Sequence, residues 1–596
     1  MKAYCKDYPR PQLFREGWKN LNGSWEFAFD DKNAGETQKW YVSFPEDAKS
    51  IHVPFTYETK LSGIEDTSYH ENVWYSRKLE VTEEELENRR LLLHFEGSDF
   101  CTIVWVNGYR VGEHKGGYSR FSFDITKQVK PGDNRITVKV KDSDSIAQPR
   151  GKQRWPRENF GCWYVQTTGI WKTVWAESVP EISLSALKIT PDIVDGKIDV
   201  VYDIQGVRPE EAAGVSVETE ITYQDAQVAV SGKCINRDRV KDTISIYRSD
   251  LSPWGIHTWT PQNPELYDME IRIVKNGVVL DRVLSYFGMR EIRIDNGNIL
   301  LNGHPLYQRL ILDQGYWEES HLTPPDEEAL IADIDKIHAL GYNGLRKHMK
   351  IEDERFLYWC DVKGMLVWSE MAAAYEYSDD AVEEFTKEWM EVVRQNYNHP
   401  SIITWTPFNE SWGVPEIRAD KKQQHFTEAI YHLTKSFDSM RPVIVNDGWE
   451  HTVSDILTLH DYEELGEIFY NRYKGNLENI VSGKLSHNKD RMALAEGYAY
   501  KGQPIIISEY GGIAFSGGAE GTWGYGNTVS DEEEFLKRFD NITTAIKKIP
   551  YIAGYCYTQV SDVQQEINGL LKADHTFKVT PEKVKEINCR QVDPYQ

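Results

Sequence analysis

The hydrophobic period of this chain changes once, near residue 291, and that change constrains the fold more than any other feature. Before it, apolar residues recur at every second position in short runs broken by turn residues: LLLHFEG (91–97), TIVWVNGYRV (102–111), RFSFDIT (120–126) and NRITVKV (134–140). A period of two lines one face of a pleated strand, and NG, GG and PGDN turns between such runs read as hairpins. Residues 1–180 are therefore expected to form a β-sandwich, with the tryptophan-rich WYVQTTGIWKTVW (163–175) as its last strands. Residues 181–290 repeat the pattern in SALKITPDI, KIDVVYDI, GVSVETEITY and MEIRIVKNGVVLDRVL, which predicts an immunoglobulin-like sandwich.

From 291 to 596 short apolar strands alternate with amphipathic helices, the signature of a parallel sheet. DEEALIADIDKIHALG places apolar residues at 330, 331, 334, 337 and 340, with Gly341 at the capping position. DDAVEEFTKEWMEVVRQNY predicts a second helix, opened by Asp380 and Glu383 at capping-box spacing. Eight strands are expected to end near Leu312, Arg346, Glu370, Phe408, Val445, His460, Glu509 and Tyr557. That is the count of a (β/α)8 TIM barrel, whose chemistry sits at the C-terminal strand ends.

Charge narrows the partners. With 93 acidic against 68 basic residues the net charge is -25, which disfavours binding to nucleic acid or an anionic membrane. No run of 18 or so apolar residues occurs, and MKAYCKDYPRPQ has no apolar core of a signal peptide, so a cytoplasmic location is expected. The seven cysteines show no C-x-x-C pair and read as free, mostly buried thiols.

Two of the expected strand ends carry glutamates. IITWTPFNESWG (402–413) runs through strand formers to Pro407 and then to Asn409 and Glu410; PIIISEYGG (504–512) is a continuous apolar run ending in Glu509. A carboxylate at such a point costs several kcal/mol unless it is paired or hydrogen-bonded. Two of them facing one another across a barrel mouth suit glycoside hydrolysis, one ionised as nucleophile and the other protonating the leaving oxygen.

Beyond these residues, the chain resembles glycoside hydrolase family 2, which includes β-galactosidases, β-glucuronidases and β-mannosidases. The resemblance rests on PRPQLFREGWKNLNGSWEF (9–27), YHENVWYSRKLEV (69–81), TTGIWKTVW (167–175), WTPQNPELYDMEI (259–271), SYFGMREI (285–292), LNGHPLYQR, GYNGLRKH, YWCDVKGMLVWSE, NHPSIITWTPFNES and SEYGG, in order along the chain. It implies a jelly-roll, sugar-binding-like first domain and a retaining mechanism with Glu410 as acid/base and Glu509 as nucleophile. It further implies that Asn409 bonds the sugar 2-hydroxyl and that Tyr462 donates to Glu509. Arg346-Lys347-His348 is one residue shorter than the Arg-x-x-His of many members. Asp313, Arg346, His348 and Glu370 are candidates for hydroxyl binding or for an internal salt-bridge network. Trp523 and Tyr557 are candidates for stacking on a sugar face. The long polar loop 142–163, with Asp144, Lys152, Gln153, Arg154 and Trp155, is expected to complete the pocket through Gln153 and Trp155.

The expected function is an exo-acting retaining β-glycosidase, β-galactosidase-like, acting on an oligosaccharide or glycoside. No metal or other cofactor is expected, and a homo-oligomer is allowed. β-Glucuronidases carry an Asn-x-Lys after the nucleophile, which is missing here, so a glucuronide enzyme would need another cation such as Lys572. The alternatives are an exo-enzyme for arabinopyranosides or glucuronides, and a carbohydrate-binding protein with a degenerate barrel.

Overall fold

The computed structural model describes residues 4–208, 212–250 and 255–592. Alternation in the first domain is realised as two facing antiparallel sheets. One runs, in spatial order, Lys49–Val53, Gly23–Phe29, Asn72–Val81, Gly132–Lys141, Cys101–Val106 and Tyr109–Lys115; the other Lys19–Asn20, Val174–Pro180, Arg89–Phe95 and Phe121–Asp124. Their inner faces bury Trp25, Phe27, Tyr75, Leu93, Val104 and Val138 in one core. The tryptophan-rich stretch departs from expectation, because only Gly169–Ile170 and the residues from Val174 pair as strand. Tyr164 and Trp171 pack instead into the hydrophobic core of the third domain, which pulls the backbone off the sandwich.

The second domain stacks a three-stranded sheet, Ser183–Asp192, Lys197–Gln205 and Arg239–Ser245, on a four-stranded one, Ala226–Cys234, Val215–Tyr223, Tyr267–Lys275 and Val278–Phe287. A buried arginine joins it to the first. Arg15 Nε and Nη2 each donate to the Asp281 carboxylate at 2.9 Å, and Nη1 lies 3.3 Å from Glu177 Oε2.

In the third domain, parallel strands β1 (Gln308–Asp313), β2 (Gly344–Lys347), β3 (Leu366–Glu370), β4 (Ile402–Thr406), β6 (Leu457–His460), β7 (Ile505–Gly511) and β8 (Ile552–Thr558) form one curled sheet, ordered β4-β3-β2-β1-β8-β7-β6. The fifth strand is less regular than expected. Trp405 bridges Val443, and Asn446–Asp447 (β5) pairs in parallel with Phe408–Asn409, beyond the end of β4. Parallel pairing therefore continues past β4 through the very residues that lead into Glu410.

Helix Glu327–Ala339 is capped by Asp326, which accepts from Ala329 N, and Gly341 takes φ +85° just beyond it. Helix Asp379–Asn396 is capped by Ser378 rather than from Asp380, since the Ser378 side chain accepts from Ala381 N, two residues earlier than the acidic spacing suggested. All seven cysteines are free, but only Cys360 and Cys556 are buried. Cys5, Cys101 and Cys162 are half-buried, and Cys234 and Cys589 are exposed. No helix among the described residues is long and apolar enough to cross a membrane.

Removing one partner of a buried ion pair leaves the other charge stranded, at a cost of about 3–5 kcal/mol. Arg15→Ala is thus expected to lower the first thermal transition of the protein markedly, read by calorimetry. An unchanged transition would show that the Arg15–Asp281 pair does not hold the two sandwiches together.

Candidate active site

Local backbone geometry aims the two glutamates. After β4 the chain turns at Pro407, and Glu410 N donates to Asp447 O at 2.9 Å. Glu410 and Ser411 then take φ +50° and +60°, left-handed values that are costly outside glycine. Ser411 holds this turn, its N–H donating to Asn446 Oδ1 at 2.9 Å and its hydroxyl to Glu450 Oε2 at 2.8 Å. In β7 the register with β8 shifts between Ile507 and Tyr510, a bulge that re-aims Glu509. One ligand atom each of Glu410, His460 and Glu509 lies within 4.8 Å of the other two.

Arg346 organises the floor beneath them. Its Nε donates to Glu370 Oε2 at 2.6 Å, Nη1 to Glu509 Oε1 at 2.8 Å and to Ser508 O at 3.2 Å, and Nη2 to Asn409 Oδ1 at 2.6 Å. Asp447 Oδ2 lies 2.9 Å from Nη1. Burial alone would push the Glu509 carboxyl up, but His460 and Arg346 outweigh it and hold it below the ordinary range. The Tyr462 hydroxyl donates to Glu509 Oε2 at 2.5 Å; burial and the nearby carboxylate keep that phenol protonated.

His460 bridges the pair. Its Nδ1 sits 2.7 Å from Glu410 Oε1 and 3.4 Å from Glu509 Oε2, while Nε2 faces Asp447 Oδ2 at 3.0 Å. Burial opposes charge on this ring, yet Glu509 and Asp447 prevail and raise its titration to about 10. At neutral pH both nitrogens then carry protons and each faces a carboxylate, so the three groups are held together by their own charges. His348 behaves oppositely. Burial, then Lys152 and Arg346, push it well below the usual range, and the neutral ring places Nδ1 2.8 Å from Glu370 Oε1.

Aromatic side chains flank the carboxylates on both sides. Tyr525 stacks on Tyr462 with centroids 3.5 Å apart, and Trp523 packs edge-on to Tyr525 at 5.3 Å. Beyond Glu410, Trp412 meets Tyr375 and Trp163, each at 5.3 Å. Trp155 lies 4.7 Å from Tyr375. Trp155 and Trp163 belong to the first domain, whose loop is clamped to the barrel by Arg150 N and Gly151 N donating to Ala373 O at 2.9 and 3.0 Å. Gly151 adopts φ +61°, and a Cβ there would meet Met349 O at 2.4 Å, so only glycine fits. The same loop brings Lys152, Cys162 and Tyr164 to the mouth, where the Gln314 amide Nε2 donates to Tyr164 Oη at 2.8 Å.

Among the sequence candidates, Asn409, Arg346, His348, Glu370 and Tyr462 converge with Glu410 and Glu509. Glu370 and Arg346 face one another rather than solvent and are fully buried. Three others are engaged elsewhere. Asp313 is held by Lys347 Nζ at 2.5 Å and Gly315 N at 2.7 Å, because alternation along β2 turns Lys347 to the opposite side from Arg346. Tyr557 is buried in the barrel wall against Tyr510 and Phe539. Gln153 points into the sandwich, donating to Asp99 Oδ2 at 2.6 Å and accepting from Thr167 N at 2.8 Å. Its place in the mouth is taken by its neighbour Lys152. The sequence reading also missed His460 and Asp447, although both stand at strand ends where a search for polar residues would have found them.

The raised His460 titration sets a pH dependence. A histidine with ordinary value 6.5 and folded value about 10 contributes stability that is complete below pH 6.5 and is lost as pH rises toward 10. Melting temperature is expected to fall across that window, and His460→Gln is expected to flatten the fall. An equal slope in the variant would show that His460 is not held charged.

Comparison with known proteins agrees with this architecture. Residues 18–155 match the sugar binding domain of Glycosyl hydrolases family 2, residues 182–290 the domain described simply as Glycosyl hydrolases family 2, and residues 292–591 its TIM barrel domain. A protein named beta-galactosidase from Thermoanaerobacter pseudethanolicus is 27% identical over 469 residues, 78% of this chain and 57% of that protein. A putative beta-glucuronidase from Formosa agariphila is 27% identical over 67% of this chain and 48% of its own length, so the chain spans about half of these two relatives. A beta-glucuronidase from Paenibacillus borealis is 24% identical over 90% of this chain and 89% of its own. The crystal structure of Ruminococcus gnavus beta-glucuronidase superposes with a TM-score of 0.78 at 18% identity, covering 98% of this chain and 99% of that one, a likeness of fold. With one family description matched over 300 of 596 residues by its barrel alone and two more ahead of it, the chain belongs to glycosyl hydrolase family 2.

Proposed function

We propose that the chain is an exo-acting retaining β-glycosidase in which Glu509 is the nucleophile and Glu410 the general acid/base. The observation that carries this reading is the close approach of the two carboxyls, within 4.8 Å by one oxygen each. Retaining enzymes hold the pair about 5–5.5 Å apart so that attack is direct, whereas inverting enzymes leave about 6.5–9.5 Å for a water. The roles follow from surroundings. Glu509 is clamped by Arg346 and Tyr462 and its side chain is 6% exposed, which suits a fixed anion aimed at the anomeric carbon; that of Glu410 is 19% exposed and can meet both leaving group and water.

In the first step a Glu509 oxygen bonds the anomeric carbon as the glycosidic C–O bond breaks, and the Glu410 proton passes to the departing oxygen. In the second, Glu410 takes a proton from water, the water oxygen bonds the anomeric carbon, and Glu509 is released. Asn409 uses its carbonyl on Arg346, which leaves its amide N–H groups for the sugar 2-hydroxyl.

The glycone has two readings. A galactoside is supported by the relative named beta-galactosidase, and a glucuronide by the relatives and solved structures named beta-glucuronidase. Lys572, the cation considered from sequence, is exposed. A panel of nitrophenyl β-glycosides separates these readings, and proton NMR of the product must show the β-anomer first.

Glu410→Ala is expected to lose on the order of 10²–10⁴-fold on poor leaving groups and far less on dinitrophenyl glycosides, whose departure needs no proton. Azide should then restore turnover as a β-glycosyl azide. Glu509→Gln should be inactive on every substrate. A β-glycosyl azide formed by a Glu509 variant instead would reverse the two roles.

A further inference from the structure

Several cations stand at or near the barrel mouth, and most have their donors occupied. Arg346 directs its N–H groups at Glu370, Glu509, Ser508 O and Asn409, and both ring nitrogens of His460 face carboxylates. Lys347 is held between Asp313 and Glu352, and Lys350 between Glu352, Gly315 O and Leu322 O. Lys152 differs. An ammonium has three donors, and among the described residues this one makes a single hydrogen bond, to Cys162 Sγ at 3.2 Å, a weak acceptor. Its other neighbour is the Trp163 ring, 5.9 Å away.

The position is fixed by the scaffold. Gly151 is packed on Met349 O, and Tyr164 N donates to Lys152 O at 2.8 Å, so the loop cannot swing its lysine out of the mouth without breaking the clamp. The charge persists as well. Burial opposes the charge of this ammonium, and the carboxylates of Glu566 and Glu509 favour it. Glu566 makes no direct ion pair with it; one of its oxygens accepts from Tyr164 Oη and the other from Asn568 Nδ2.

Arg346 and His460 spend their donors on the acids of the floor, so an anionic sugar beside Glu410, Glu509 and Glu566 is repelled unless a cation with open donors faces it. The sequence has no Asn-x-Lys to supply one from the barrel. We propose that Lys152, reaching in from the first domain, is a specificity-determining residue that binds a carboxylate on the glycone, so that β-linked uronic acid glycosides are the preferred substrates. This rests on the retaining-glycosidase reading above.

The test compares kcat/KM for p-nitrophenyl β-D-glucuronide and p-nitrophenyl β-D-galactoside in the full-length protein and in Lys152→Met, which keeps the aliphatic stem, with Lys152→Arg as the conservative variant. The ratio of uronide to galactoside is expected to fall at least about tenfold in Lys152→Met, as loss of a charge-assisted hydrogen bond implies. Most of that fall should appear in KM, and Lys152→Arg should recover part of it. Equal losses on both substrates, or a wild-type protein that cleaves neutral glycosides but not the uronide, overturn the assignment while leaving the glycosidase reading intact. Failure to cleave any glycoside, together with no covalent trapping of Glu509 by 2-deoxy-2-fluoro glycosides, brings down both.

Discussion

Arg346 is the interaction on which the catalytic end of the barrel depends. A planar guanidinium can satisfy several acceptors at fixed angles without bending its own geometry. Here it gathers groups from β3 (Glu370), from the chain leaving β4 (Asn409), from β5 (Asp447) and from β7 (Ser508 and Glu509), joining strands that are far apart in sequence and in the sheet. Fully buried, it would be costly alone, and so would the carboxylates around it. Arg346 and His460 each lie among several acids, and this sharing is why Glu509 stays ionised although burial disfavours its charge.

The same electrostatics explain why neighbouring residues behave differently. His460 and His348 lie in one site, yet one is charged and the other neutral, because the first faces Asp447, Glu410 and Glu509 while the second faces Arg346 and the field of Lys152. Glu370, Asp447 and Arg346 form a buried floor, and Glu410 and Glu509, the proposed acid/base and nucleophile, stand above it. Alternation along β2 keeps the floor apart from the second network of Lys347, Asp313, Glu352 and Lys350.

Much of this was legible in the sequence. The change of period at residue 291 separates sandwiches from barrel, and each catalytic candidate sits where an apolar run meets a polar stop. What could not be read is pairing over distance. Nothing in HDY says that His460 meets Glu410 fifty residues earlier, and nothing in GKQRW says that Lys152 rather than Gln153 turns toward the barrel. That choice is made by Gly151 against Met349 O and by Asp99 accepting from Gln153, contacts between segments that no local pattern links. Tyr557 failed for a similar reason, since its direction from β8 is set by Phe539 on a neighbouring helix.

The clamped loop also has a consequence for how the protein is made. Synthesis proceeds from the N-terminus, and domains fold as they emerge. The sandwich can complete its own core with residues up to Pro180, but Trp155, Trp163 and Trp171 find their partners only when Tyr375, Trp412 and the body of the barrel have been added. Until then a sticky aromatic patch rides on the nascent chain, more than two hundred residues ahead of Trp412, the ring that covers part of it. The loop that is clamped against the barrel in the folded protein is, on the ribosome, an exposed aromatic segment waiting for its partners.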